Sequence, residues 1–279
     1  MARRKSQTVV RRQATKSSRS TPLRCWVCGS QLALRGDRRD RLECPRRDSR
    51  VLAAEGIFDL WPPEERAPRL DAYATPFGAA YDFGVNRPAL ARVAARIEYG
   101  ADVARMYEWM AEVLDCPPGQ IVLDVPAGGG TLFSRGAPKL GGLLVGIDLS
   151  QAMLARAARR RRILGLEEHV LLARGDATRL PLVAGAVDRI ACFNGLHVIP
   201  GKSAALAEFR RVLKPGGELL GTSRISDPPG FHRRVIGLAQ LAGFFVPPAA
   251  AQLAALAKRA GFAKWEQKLD GALLYFRGQ

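Results

Sequence analysis

Apolar residues recur along this chain with two different periods, and the switch between them predicts the architecture. In ADVARMYEWMAEVL (101–114) they fall at helical spacing, and the pattern stops at Cys116-Pro-Pro-Gly. Short β-branched runs follow, IVLD (121–124) and LLVGID (143–148), each closing on an acid. Between and after them lie helical stretches such as QAMLARAA, and the alternation continues to about residue 223. Strands that are apolar on both faces and separated by helices predict an α/β fold: a doubly wound, mostly parallel sheet with helices on either side. Towards the amino end the pattern weakens. Residues 1–21 lack periodicity and are expected to be a disordered basic arm. Residues 22–63 run from CWVC to EGIFDLWPP, where the double proline marks a boundary. Residues 64–100 hold two aromatic clusters, DAYATPFGAAYDFG, ahead of a short helical pattern, and form a linker and substrate-cap segment. The stretch 226–247 interrupts the alternation late in the chain, and there is no internal repeat.

Composition narrows the picture. A length of 279 residues with 47% hydrophobic content holds one α/β domain and a small appendage. No apolar run approaches the roughly 20 residues a membrane span needs, and five cysteines, three of them clustered, suggest a reducing, cytoplasmic setting. The net charge of +17 is uneven: residues 1–50 carry 15 Lys/Arg against 4 Asp/Glu. Such an arm either recruits RNA by counterion release or is a solvated tail. Oligomeric state is not readable from the sequence.

The chemistry concentrates in IVLDVPAGGGT (121–131) and in VGIDLS, where Asp148 lies 24 positions after Asp124. A strand ending in an acid and a glycine turn lets a ligand lie against backbone, and an acid at the next strand tip accepts both hydroxyls of a ribose. The dinucleotide fingerprint needs a small residue where Phe133 stands, and no phosphate loop of the G-x-x-x-x-G-K-[ST] type occurs. An acid ahead of the turn repels pyrophosphate but suits a ligand with an ammonium group. S-adenosylmethionine has that group, an adenosine and no phosphate.

On these residues the chain resembles the class I S-adenosylmethionine-dependent methyltransferases over residues 101–279. Asp124-Val-Pro126-Ala127-Gly128-Gly-Gly130 is similar to the family's first motif, with Pro126 replacing its first glycine. Gly146-Ile-Asp148-Leu149-Ser150 and Arg174-Gly-Asp176-Ala177-Thr match the second and third, and the Leu-Lys-Pro-Gly-Gly turn precedes the fifth strand. The resemblance implies a seven-stranded Rossmann-like sheet. It also implies a cofactor site made of Asp124, Pro126, Ala127, Gly128, Gly130, Asp148, Leu149, Asp176, Ala177 and Asn194. Asp148 would take the ribose and Asp124 the amino group. Asp176 would take the adenine amino group, with turn formation as its other reading, and Asn194 either meets the cofactor's amino group or makes an Asn-Gly turn. His197, just past the fourth strand, is a candidate general base or a structural histidine.

The motif layout is closest to methyltransferases of quinone and small-molecule biosynthesis, which implies a hydroxyl or carbon acceptor. Ribosomal or transfer RNA methylation is the alternative, and a catalytically silent cofactor-binding partner protein is a third. Asn194-Gly-Leu-His stands where amino-group methyltransferases carry [DN]-P-P-[FYW], which disfavours exocyclic adenine methylation. At the amino end, Cys25-x-x-Cys28 with Cys44 and the tail Gly56-Ile-Phe-Asp59-Leu60 resembles a zinc ribbon whose fourth cysteine position is Arg47. Two readings follow: zinc held by Cys25, Cys28, Cys44 and Asp48, or an eroded ribbon held by its own core.

Overall fold

The computed structural model describes residues 19–36, 40–46, 50–62, 71–136, 139–227 and 247–279. Most of the basic arm, Asp48, and the aromatic residues Phe231, Phe244 and Phe245 of the late insertion lie outside them.

The amino-terminal element is an antiparallel meander of β1 (Arg19–Arg24), β2 (Gln31–Arg35), β3 (Arg41–Glu43), β4 (Arg50–Ala54) and β5 (Ile57–Asp59). Its first strand starts at Arg19, inside the stretch expected to be irregular. A short 3-10 turn, Ala72–Ala74, leads to α1 (Pro76–Val85) and α2 (Pro88–Tyr99). Both helices begin with proline, which needs no amide partner there, and α2 ends on Gly100 at φ 64°. The helix α3 (Ala104–Leu114) falls within the stretch read as helical.

The main sheet follows. Its strands are β6 (Ile121–Asp124), β7 (Leu143–Asp148), β8 (Val170–Arg174), β9 (Val187–Phe193), β10 (Leu213–Arg224), β11 (Trp265–Asp270) and β12 (Leu273–Gly278). The helices are α4 (Thr131–Gly136), α5 (Gln151–Ile163), α6 (Lys202–Val212) and α7 (Ala250–Arg259). Strands lie in the order β8-β7-β6-β9-β10-β12-β11; the first five are parallel and β12 and β11 antiparallel. This is the expected doubly wound sheet, with the strand order switching between β6 and β9.

Period-two alternation supplies both cores. Leu123 and Val125, Val145 and Ile147, and Leu171 and Ala173 point into one cluster together with Leu206 and Phe209 of α6 and Leu253 of α7. Val122, Leu144 and Leu172 point the other way, onto Met106, Met110 and Val113 of α3, Leu132 and Phe133 of α4, and Leu154 of α5.

The ribbon-like element does not stand apart. β5 pairs in parallel with β8 (Ile57 with Leu172, Asp59 with Arg174), so the sheet continues to twelve strands. Leu23, Leu32, Leu34, Leu42, Phe58 and Leu60 share the core of α6 and α7. Backbone bonds from Arg24 N–H to the Pro181 carbonyl and from Val183 N–H to the Pro22 carbonyl fix it further.

Candidate functional site

Four adjacent parallel strand ends, β8, β7, β6 and β9, open into one cavity of about 910 Å³. Where neighbouring strands lead to opposite faces, as β6 and β9 do here, the loops diverge and leave a crevice. The loop after β6 forms its floor. Gly128 and Gly130 have φ of 54° and 83°, values that favour glycine. A Cβ on Gly130 would run into the Phe133 ring, and one on Gly129 into the Asp82 carboxylate. The loop is therefore packed from below by α4 and from above by α1, leaving its backbone to face the cavity.

Asp148 ties this loop to the next strand. Its Oδ2 accepts from Gly128 N–H at 2.7 Å and its Oδ1 from Ser150 N–H at 2.8 Å. Ser150 also caps α5, accepting from Met153 N–H at 3.2 Å, and donates its hydroxyl to Asp71 at 2.7 Å. Each Asp148 oxygen retains acceptor capacity. Burial pushes the carboxyl up to about 6, against the pull of the backbone donors, and Asp71 adds to the rise.

Asp124 is more extreme. It is buried, its Oδ2 has no partner, and burial followed by the nearby Asp148 raises it well above the usual carboxylate range. Two carboxylates thus sit at neighbouring strand ends, and among the described residues neither is in an ion pair. An uncompensated buried carboxylate is costly. A ligand with a positive charge and hydroxyl donors would relieve both.

The remaining expected cofactor residues, Pro126, Ala127, Leu149, Asp176, Ala177 and Asn194, all line the same cavity. Asp176 Oδ1 accepts from the Thr178 N–H and hydroxyl at 2.8 and 2.7 Å, so it does form a turn while facing the site. Asn194 has φ of 53°, and its N–H donates to the Thr222 hydroxyl at 3.0 Å. His197 is placed differently. It is 3% exposed, is not among the cavity-lining residues, and its Nδ1 accepts from Arg224 N–H at 3.3 Å. Burial, then Arg224 and Lys202, hold its pKa well below the ordinary value. The imidazole is therefore buried against β10 and does not line the cavity.

Several residues in and around the site carry no motif. Asp82 on α1 pairs with Arg160 on α5 at 2.6 Å, and Arg160 also donates to the Gly129 carbonyl. Within the arginine run 159–162, Arg160 turns inward, and Arg161 donates to the Val170 carbonyl at 3.1 Å. Trp61, at the end of the ribbon-like element, lines the cavity with the Arg174 guanidinium 4.8 Å from its ring centre. Tyr73 and Tyr81, with ring centres 5.8 Å apart, and Tyr99, Met106, Tyr107 and Met110 wall the rest. Helical spacing foreshadowed Met106 and Met110 as core. Nothing local marks Asp82, whose partner lies 78 residues away.

The thiols of Cys25, Cys28 and Cys44 converge within 4.8 Å of one another. Cys28 and Cys44 sulfurs are 3.4 Å apart, and the Cys28 thiol donates to Ser30 at 3.3 Å. Structural zinc takes four donors, and the described residues bring three.

Known proteins repeat this layout. Residues 122–217 match the family model of a methyltransferase domain. The demethylmenaquinone methyltransferase of Beutenbergia cavernae is 35% identical over 46% of this chain and 57% of its own. Methyltransferase GfsG of Streptomyces halstedii is 36% identical over 41% of each chain. Among solved structures, the cyclase SpnF is 30% identical, with a TM-score of 0.50 and 58% of each chain covered. The chain spans 32% to 57% of the length of such curated relatives.

Proposed function

We propose that this chain, whose residues 122–217 match a methyltransferase domain, is an S-adenosylmethionine-dependent methyltransferase of class I that methylates a small, largely apolar acceptor at a hydroxyl oxygen or an acidic carbon. The observation that carries this reading is the pair of buried carboxylates, Asp124 and Asp148, neither in an ion pair among the described residues, beside a glycine loop in a chamber with room for two ligands. A volume of about 910 Å³ lies at the upper end of the range for small-molecule sites. S-adenosylmethionine, when bound, supplies an electrophilic sulfonium methyl group. Asp124 would hold its amino group and Asp148 its ribose, while Asp176 and the Ala177 N–H would meet the adenine.

The acceptor side is built from Tyr81, Val85, Tyr99, Val103, Met106, Tyr107 and Met110. These side chains exclude water and orient an apolar body. With His197 packed away from the chamber, the residues act by proximity and alignment of the nucleophile with the methyl group. Relatives named for demethylmenaquinone support an acceptor of quinone-like chemistry over RNA.

Calorimetry with S-adenosylhomocysteine tests the cofactor, and release of that product across a panel of hydroxylated quinones and phenols tests transfer. Micromolar binding with release on part of the panel is expected. No affinity for S-adenosylhomocysteine would overturn the reading. Binding without release for any acceptor would favour a silent or non-transferring protein, as the likeness to a cyclase and the Pro126 replacement allow.

A further inference from the structure

A surface helix ordinarily turns its apolar stripe to the core. The helix α2 does not. Leu90, Val93 and Ile97, at i, i+3 and i+7, share one stripe and are 47%, 58% and 73% exposed. Phe83 on α1 is also exposed, at 54%, with the Arg87 guanidinium 3.2 Å from its ring centre. One flank of the stripe is basic: Arg92 and Arg96 are exposed and share Asp102 at 3.9 and 3.6 Å. The other flank meets the chamber, because Ala91, Ala94, Ala95 and Glu98 line it. Ala94 on α2 and Ala80 on α1 are both exposed and chamber-lining, so the opening lies between these two helices.

We propose that α2 is a lipid-docking surface that sets the mouth of the chamber against an anionic bilayer. The apolar stripe would enter the headgroup boundary, Arg92 and Arg96 would meet lipid phosphates, and the chamber would open towards the acyl region. Charge favours this occupant: the chain carries +17 overall and two exposed arginines flank the stripe. Helices of this kind lie in the interface with their apolar face buried. The proposal does not depend on methyl transfer; it fixes how any apolar ligand reaches the chamber.

Flotation of the full chain with vesicles tests it, using phosphatidylcholine alone and phosphatidylcholine mixed with phosphatidylglycerol. Binding to the mixed vesicles is expected. The triple variant Leu90→Ser, Val93→Ser, Ile97→Ser should lower the partition coefficient about tenfold or more, with its melting temperature and S-adenosylhomocysteine affinity kept. Because the basic arm also attracts anionic vesicles, the comparison is repeated after deleting residues 1–18; the triple variant must still lower binding. Equal binding of the variant and its parent, in either background, overturns the proposal. So does a concentration-dependent dimer that the triple variant disperses, since a second copy would then cover the stripe.

Discussion

Two clusters of ligating side chains lie on this sheet, and they differ in what they lack. The three thiols of the ribbon-like element lie within 4.8 Å of one another, and Cys28 donates to Ser30 and lies 3.4 Å from the Cys44 sulfur. The element is also joined to the main core by Leu23, Leu42 and Phe58. The two carboxylates at the ends of β6 and β7 are not self-sufficient. Asp124 keeps a buried oxygen without a partner, and both acids are raised by burial. An unsatisfied, desolvated charge points to a ligand more directly than convergence of donor groups alone.

The sharpest way to break this comparison is to remove the ribbon-like element. If it were an independent metal module, deleting residues 19–60 would leave the methyltransferase domain folded. Here the deletion strips Leu23, Leu32, Leu34, Leu42, Phe58 and Leu60 from the core and bares the edge of β8. At roughly 1.5–3 kcal/mol per buried side chain, the loss reaches the whole stability of a typical domain, about 5–15 kcal/mol. An aggregated or molten product is expected by circular dichroism and size-exclusion chromatography. A cooperative thermal transition in the truncated protein would restore the modular reading.

The next largest effect should come from the other cluster. Asp148→Ala should weaken S-adenosylhomocysteine or S-adenosylmethionine binding by about 1.5–3 kcal/mol, because charge-assisted bonds to ribose are lost and two backbone donors are left unpaired. The wild-type affinity should also depend on pH. The carboxyl titrates at about 6 in the ligand-free fold, and a ligand that prefers the ionised form lowers that value on binding. Affinity is then level above pH 7 and declines as pH falls through 6. Calorimetry across pH 5–8 with no decline, or an unchanged Asp148→Ala, would remove this residue from the site.

Much of this was legible before any coordinates. Strand runs ending in acids gave Asp124 and Asp148 their positions, and the glycine turn between them marked the crevice, because local backbone constraints leave local signatures. The parallel alternation gave the sheet for the same reason. What stayed hidden depends on distant packing. Nothing in the sequence joins Asp82 to Arg160, or lays β5 against β8. The general-base reading of His197 rested on its place just after β9, but a residue past a strand end can point under the sheet as easily as over it. Its Nδ1 accepts from the backbone N–H of Arg224, 27 residues on, and the residue does not line the cavity. The exposure of Leu90, Val93 and Ile97 was equally hidden, since helical spacing alone would turn them inward.

A smaller effect, of opposite sign in two assays, should follow from Asp124→Asn. The folded carboxyl is raised by burial, so between its unfolded value near 4 and its folded value the native state binds more protons than the unfolded one. Stability therefore falls as pH rises across that window. An amide carries no such cost, and the ligand-free variant should be more stable by about 1 kcal/mol or more at neutral pH. Its affinity for S-adenosylmethionine should drop about tenfold as the ammonium loses its counter-charge. A variant less stable than wild type by thermal melt would mean that the unpartnered oxygen is satisfied in solution.

The smallest effect is expected at the thiols, and it closes the comparison. Three sulfur donors within 4.8 Å can capture zinc weakly, but tight structural sites use four ligands, and Arg47 stands where the ribbon pattern places the fourth. Elemental analysis of purified protein should return well under one zinc per chain. Chelation should shift the melting temperature by no more than about 2 °C, corresponding to about 1 kcal/mol for a chain of this size. Cys44→Ser should behave like chelated wild type, since the leucines around it hold the element. One tightly held zinc per chain, lost on Asp48→Ala, would show that a carboxylate completes the set. The ribbon-like element would then join the sheet edge as a site that waits for its ligand.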